Sequence, residues 1–205
     1  MKYFFTYLML ALCLCSCDKG VKFDISGQLT DNAASVVYLV VENTALDTLA
    51  SATVERDNTF HLKGDIAEPT TAFVCDDNGN ALTILLIEES KLHIKPVPEG
   101  GYKAEGGPIN DKYNIIMQRL SDVARQISEI SPDDENPEEA YESLIFKYQD
   151  ILSTGVSSNL DNIIGVELFL SQESRAMTAE DMRVRMAQFS PKMRRLSSMV
   201  RFAEY

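Results

Sequence analysis

Near residue 108 the hydrophobic period of the chain changes from two to that of a helix, and this change constrains the fold more than any other feature. Before it, apolar and polar residues alternate as in half-buried strands. Val21, Phe23 and Ile25 alternate with polar neighbours, Phe60 and Leu62 flank His61, and Leu92 and Ile94 flank His93. Residues 36–41 are a continuous apolar run of strand length. Arg56-Asp57-Asn58 reads as a hairpin turn between residues 48–54 and the strand of Phe60 and Leu62. Asp76-Asp77-Asn78-Gly79-Asn80 reads as a second hairpin, between 71–75 and 81–87, and Asn78-Gly79 suits a type I′ turn because both residues tolerate positive φ. Strands this closely spaced predict an antiparallel β-sandwich or a partly open barrel.

After the change, Tyr113, Ile116, Met117, Leu120, Val123 and Ile127 recur on one helical face, with Asn110 as its N-cap. A polar break at 131–135 precedes Asn136-Pro137, a cap followed by a first-turn proline. Tyr141, Leu144, Tyr148, Ile151 and Leu152 form the next stripe, which Gly155 and Ser157-Ser158 should end. Further helical segments are expected at 163–170, after the cap at Thr178, and from Ser190-Pro191 through Met193, Leu196 and Val200. The expected fold class is α+β. An N-terminal antiparallel β-sandwich or partly open barrel spans residues 17–107, and a C-terminal helical region spans 108–205.

Residues 1–16 stand apart as a lipoprotein signal peptide. Lys2 precedes an apolar run over residues 3–14 and then small or thiol-bearing residues, the build of a secretory signal. The run is short of the roughly 20 apolar residues that a membrane-spanning helix needs. Leu14-Cys15-Ser16-Cys17 has the form of a bacterial lipobox. In that motif the thiol of the final cysteine takes a diacylglycerol, the chain is cut before it, and the new amine is acylated. Several acyl chains on Cys17 anchor firmly, at roughly 0.8 kcal/mol per buried methylene. The expected partner is therefore the membrane, reached through lipid on Cys17. The expected place is the cell envelope, on the periplasmic side of the inner or outer membrane or at the cell surface. Cys13 and Cys15 leave with the signal and Cys17 carries lipid, so Cys75 remains as a free thiol and no disulfide forms within the chain.

The 205-residue chain has a formal charge of −12, and loss of Lys2 makes it one unit more negative. Such a balance repels phosphate backbones, and no nucleic-acid partner is expected. Basic residues nevertheless gather near the end, seven of them between Arg175 and Arg201. Met177, Met182, Met186, Met193 and Met199 accompany them, as helix core or as an adaptable partner surface, with core the favoured reading.

The chain contains no nucleophile-elbow, P-loop or dinucleotide-binding pattern. Residues 76–80 fail as a calcium loop, because Ala81 and Ile87 stand where an EF-hand needs glycine and glutamate. His61 and His93 should face solvent, and two histidines without a third ligand do not define a metal site. No catalytic, metal or cofactor residues are expected. The resulting expectation is a non-catalytic binding or scaffolding module, not an enzyme.

The stretches FDISGQL (23–29), YLVVE (38–42), DNTFHLKGDIAEPTTAFV (57–74) and KLHIKP (91–96) together resemble a domain of unknown function of Gram-negative envelope lipoproteins. That domain sits N-terminal to thioredoxin-like disulfide oxidoreductase domains of the TlpA/ResA type. GGPINDKYN, residues 106–114, is similar to that family's passage from sheet to helices, and IIGVELFL and TAEDMRVRMAQFSP resemble the helical linker that follows. In those oxidoreductases a Cys-x-x-Cys pair performs disulfide exchange. After Cys17 this sequence has no such pair, so no redox residue carries over. The resemblance implies an envelope module of unassigned role, or, as the alternative, an accessory partner of a separate thioredoxin-like oxidoreductase.

Overall fold

The computed structural model describes residues 20–30, 34–42, 46–87, 91–98 and 100–204. The signal segment and Cys17 lie outside the described residues. Eight strands come first: β1 (Val21–Gln28), β2 (Val36–Glu42), β3 (Leu46–Thr53), β4 (Thr59–Ile66), β5 (Thr70–Cys75), β6 (Ala81–Ile87), β7 (Lys91–Pro96) and β8 (Tyr102–Glu105). Helices follow: α1 (Pro108–Ser128), α2 (Pro137–Ser157), α3 (Ile163–Ser171), a 3-10 turn (Glu173–Ala176), α4 (Ala179–Gln188), α5 (Pro191–Arg194) and α6 (Ser197–Ala203).

The strands form two four-stranded sheets, β4-β1-β7-β8 and β3-β2-β5-β6. Strand alternation turns Phe23, Ile25, Leu62 and Leu92 of the first sheet into one core with Leu39, Val74 and Leu85 of the second. Among the described residues every pairing is antiparallel except one: β1 and β7 run parallel, with Ser26 beside His93. A parallel neighbour requires a long crossover. Here it is β2 through β6, which includes the whole second sheet and β4.

The two turns behave differently. At 55–59, Asn58 takes φ 64° and its N–H donates to Glu55 O at 2.9 Å. This turn reverses the chain without making a paired hairpin, since β3 bonds to β2 and β4 bonds to β1. The turn instead carries the chain from one sheet to the other. At 76–80 the hairpin between β5 and β6 is present, but the turn is not type I′, because Gly79 has positive φ and Asn78 does not. The Asp76 carboxylate accepts the N–H groups of Asn78 (2.9 Å) and Asn80 (2.7 Å), which closes the loop as an Asx turn. A bulge between Val74 and Cys75 absorbs the register change.

The helices cover the outer face of the second sheet. Leu86 of β6 joins a second core with Tyr113 and Leu120 of α1 and with Ile164, Leu168 and Phe169 of α3. Helix α3 is the centre of that core. Asn162 caps it by accepting from Ile164 N, and the Phe169 ring lies 5.6 Å from that of Phe189 and 5.5 Å from that of Phe202. Thr178 caps α4 as the spacing predicts, its Oγ1 accepting from Asp181 N at 3.2 Å. Glu173 and Arg185 form a buried bidentate ion pair, and Arg185 also donates to Ser153 (2.8 Å) and Ser157 (3.0 Å) of α2.

Four helical expectations change. Asn110 does not cap α1: Gly107 holds the N-cap position with Pro108 next, and Asn110 lies buried within the first turn. Ser157 and Ser158 end α2 as expected, but Gly155 lies inside the helix. It is buried where α2 meets α3, and a Cβ there would sit 3.0 Å from Leu168 Cδ1. Tyr141, placed on the packed stripe by its spacing, is 49 % exposed. The helix from Ser190 breaks at Leu196, whose extended ψ of 139° turns the chain while its side chain stays buried, and Val200 is left 46 % exposed. The five methionines pack against the helical core, Met193 and Met199 fully buried.

Candidate functional site

The outer face of the first sheet brings together the polar residues that the core excludes. In β1 the outward positions include Asp24 and Ser26, and the register sets Ser26 beside both His61 of β4 and His93 of β7. His61 Nε2 lies 2.5 Å from Asp24 Oδ1, and Lys63 Nζ approaches Asp24 Oδ2 at 3.4 Å. Ser26 Oγ lies 2.5 Å from His93 Nδ1. The row borders an open cleft of about 700 Å³ that continues to Thr59 and Glu55 at the sheet-changing turn. The hydrogen bond from His61 holds the Asp24 carboxyl below the usual carboxylate range, slight burial opposes it, and Lys63 adds to the lowering.

Serine, histidine and aspartate in one row invite comparison with a hydrolytic triad, and the geometry answers against it. In a triad the carboxylate orients the histidine that serves the serine. Here Asp24 engages His61, whereas Ser26 engages His93. Strand β1 pairs on both sides, so backbone N–H groups near Ser26 are committed to the ladders and do not form an oxyanion hole. His61 and His93 lie two strands apart, about 10 Å between backbones, with Ser26 between them. Among the described residues, no group of three histidine, cysteine, aspartate or glutamate side chains is placed to hold a metal ion. Asp24 and Ser26 had no marker in the sequence. Their place beside His61 depends on the β1–β4 pairing and that of Ser26 beside His93 on the parallel β1–β7 pairing, and no turn signal announces either.

The other residues singled out by sequence have structural tasks. Asp76 is saturated by its own loop, with Asn80 Nδ2 adding a third donor at 2.9 Å, and Asp77 accepts from Ser35 N at 3.1 Å. Cys75 is half-buried at the end of β5, and burial, followed by the negative charge of Asp76, pushes its thiol pKa up. In GGPINDKYN, Asn110 bonds the backbone of Leu86, Asp111 accepts from Gly106 N at 3.0 Å, and Asn114 donates to Ala104 O at 2.7 Å. The motif therefore ties α1 to β6 of one sheet and β8 of the other. It is a clamp across the edges of the sandwich.

A different region carries surface that packing does not explain. From residue 124 to residue 151, the last turn of α1 and most of α2, no described residue is fully buried. This arm nonetheless presents Tyr141 and Phe146, and Phe146 is 72 % exposed. A shallow hollow at its tip lies between Ile130, Pro132, Pro137 and Tyr141. Among the described residues, no helix is long and apolar enough to cross a membrane.

Residues 23–113 match the family model of a domain of unknown function, DUF4369. The match covers nearly all of the two-sheet body and the first turn of α1, and it takes in Asn110 and Asp111 of the clamp. No curated protein matches the chain.

Proposed function

We propose, taking this domain of unknown function as the premise, that the chain is a non-catalytic binding or scaffolding module held in the cell envelope by lipid on Cys17. The observation that carries the reading is the arm at 124–151. In this two-helix arm Tyr148 and Ile151 pack against the helical core while Tyr141 and Phe146 stay exposed, and large apolar groups left on the surface call for a partner. Phe146 and Tyr141 are aromatic anchors of the kind that dominate protein interfaces. The Asp24–His61 and Ser26–His93 pairs supply no arrangement for acyl transfer, and this supports a binding role over an enzymatic one. The resemblance of residues 21–205 to modules preceding thioredoxin-like domains favours one class of partner, an envelope thiol-disulfide oxidoreductase.

The test places a photo-crosslinking amino acid at Phe146, and at exposed Arg119 as control, in full-length protein in its own envelope. A discrete adduct at 146 that is absent at 119 and lost in Tyr141→Glu is expected. A thioredoxin-like adduct bearing Cys-x-x-Cys assigns the accessory role, and another protein assigns the general scaffold. Absence of an adduct at 146 refutes binding through the arm.

A further inference from the structure

The point where the folded body begins lies against the corner between α5 and α6. Gly20 precedes β1, whose first residue Val21 pairs with Ile66 at the end of β4. A Cβ on Gly20 would meet Ile66 O and lie 3.9 Å from Ala67 Cα, so the backbones are in contact there. The next residue, Glu68, accepts a hydrogen bond from Ser197 N at 2.8 Å. Ser197 opens α6, and Arg194 and Arg195 come just before it. A short series of direct contacts therefore joins the start of the body to the most basic turn of the chain.

That turn is unusual in an acidic protein. Lys192, Arg194 and Arg195 are exposed, while Met193 between them and Leu196 after them are buried. Burial of the two apolar residues leaves the three cations no place but the surface. Among the described residues, none of the three has an ion pair or a side-chain hydrogen bond, whereas Arg183 and Arg185 of α4 are paired with Glu180 and Glu173. The acidic groups placed near it by contact or sequence include Glu68, whose Oε1 is held by Ser197 N, exposed Asp161, which follows the Leu160 carbonyl that accepts from Ser190 N, and exposed Glu204.

We propose that this corner is the membrane-facing pole of the protein, with Lys192, Arg194 and Arg195 set against anionic phospholipid headgroups. The inference rests on the reading of Cys17 as the lipidated residue. Three residues from Cys17 to Gly20 reach at most about 11 Å, so lipid at Cys17 keeps the Gly20 edge within that distance of the bilayer interface. A chain with formal charge −12 is repelled by an anionic surface over most of its area. A basic turn next to the tether reverses that repulsion where approach is enforced. Attraction of this kind acts within a Debye length, about 10 Å at 0.1 M salt, and contributes on the order of five-fold in partitioning per basic residue.

The experiment uses the full chain matured in cells, its acylation verified by mass, in vesicles of phosphatidylcholine alone or with phosphatidylglycerol. Hydrogen exchange of the 192–198 amides is read. Slower exchange in the phosphatidylglycerol vesicles is expected, with reversal at 1 M salt. It should vanish in the Lys192→Glu, Arg194→Glu, Arg195→Glu triple variant, whose thermal midpoint confirms that it is folded. Acylated protein without that protection overturns the inference and leaves the lipid reading intact. Protection that appears only when another envelope protein is added overturns it as well. A mature chain without acyl groups overturns both.

Discussion

Asn110 and Leu86 pair as if the side-chain amide were a neighbouring strand: Leu86 N donates to Asn110 Oδ1 at 2.9 Å, and Asn110 Nδ2 donates to Leu86 O at 2.7 Å. Strand β6 is the edge of its sheet, and an edge leaves backbone groups unpaired. A helix lies over this edge, so water cannot satisfy them. Asn110→Ala leaves a buried N–H and a buried C=O without partners, and a loss of about 3 kcal/mol is expected in urea unfolding. Asn110→Asp accepts from Leu86 N but cannot donate to Leu86 O when ionised, so it should also destabilise, and less so in acid.

Gly165 reverses the usual glycine rule. An exposed helical Gly→Ala change gains about 1 kcal/mol from propensity. A Cβ at Gly165 would lie 2.2 Å from the backbone oxygen of Asn159, so the chain before α3 would have to move. Asn159 is itself fixed, its Nδ2 donating to Gly155 O at 2.6 Å. Gly165→Ala should therefore destabilise, by about 1–3 kcal/mol. An unchanged denaturant midpoint would refute the close approach.

The Glu173–Arg185 pair should show strong non-additivity. The two side chains are 8 % and 13 % exposed, so removing one leaves a buried charge. Glu173→Ala or Arg185→Ala alone should cost about 3–5 kcal/mol, while Glu173→Leu with Arg185→Met should cost much less than the sum. A double-mutant cycle in guanidinium measures the coupling, and additive losses would refute it.

Asp76 should link acid stability to the reactivity of Cys75. The Asn80 side chain, then the Asn80 and Asn78 backbone N–H groups, hold the Asp76 carboxyl below the usual carboxylate range against some burial. A lowered folded pKa means that the stabilisation is complete above the unfolded value of about 3.9 and is lost as pH falls through the folded value. Carboxyl-carbon NMR titration should show the depressed midpoint, and Asp76→Asn should flatten this part of the acid limb. The same charge, after burial, raises the Cys75 pKa. Native labelling of Cys75 should be slower than in denatured chain at pH 8, and slower than in Asp76→Asn once both variants are compared folded.

Local chemistry settled a good part of this architecture in advance. Alternation around Phe60, Leu62, Leu92 and Ile94 gave strands with the correct faces inward, because the two-residue pleat leaves no choice once one face is apolar. The caps at Thr178 and Ser190 follow from a side-chain oxygen meeting an N–H three residues on, an interaction confined to one turn. The outward positions of His61 and His93 follow from the same pleat.

Long-range pairing decided the rest. Nothing within a few residues of Asn58 says whether the next strand pairs with β3 or crosses to the other sheet; that depends on which edges meet when both apolar faces close over one core. The row of Asp24, Ser26, His61 and His93 needs two long-range pairings: β4 sets His61 beside β1, and β7 returns parallel to β1 across 66 residues of chain to add His93. Asn110 has the composition of a cap, yet the unpaired backbone of Leu86, 24 residues earlier, claims its amide. Gly155 has the composition of a terminator, yet the nearness of Leu168 keeps it inside α2. In each case a residue fit for a local role serves a distant one, because a buried polar group or a crowded helix contact costs more to leave unsatisfied than a helix end exposed to water.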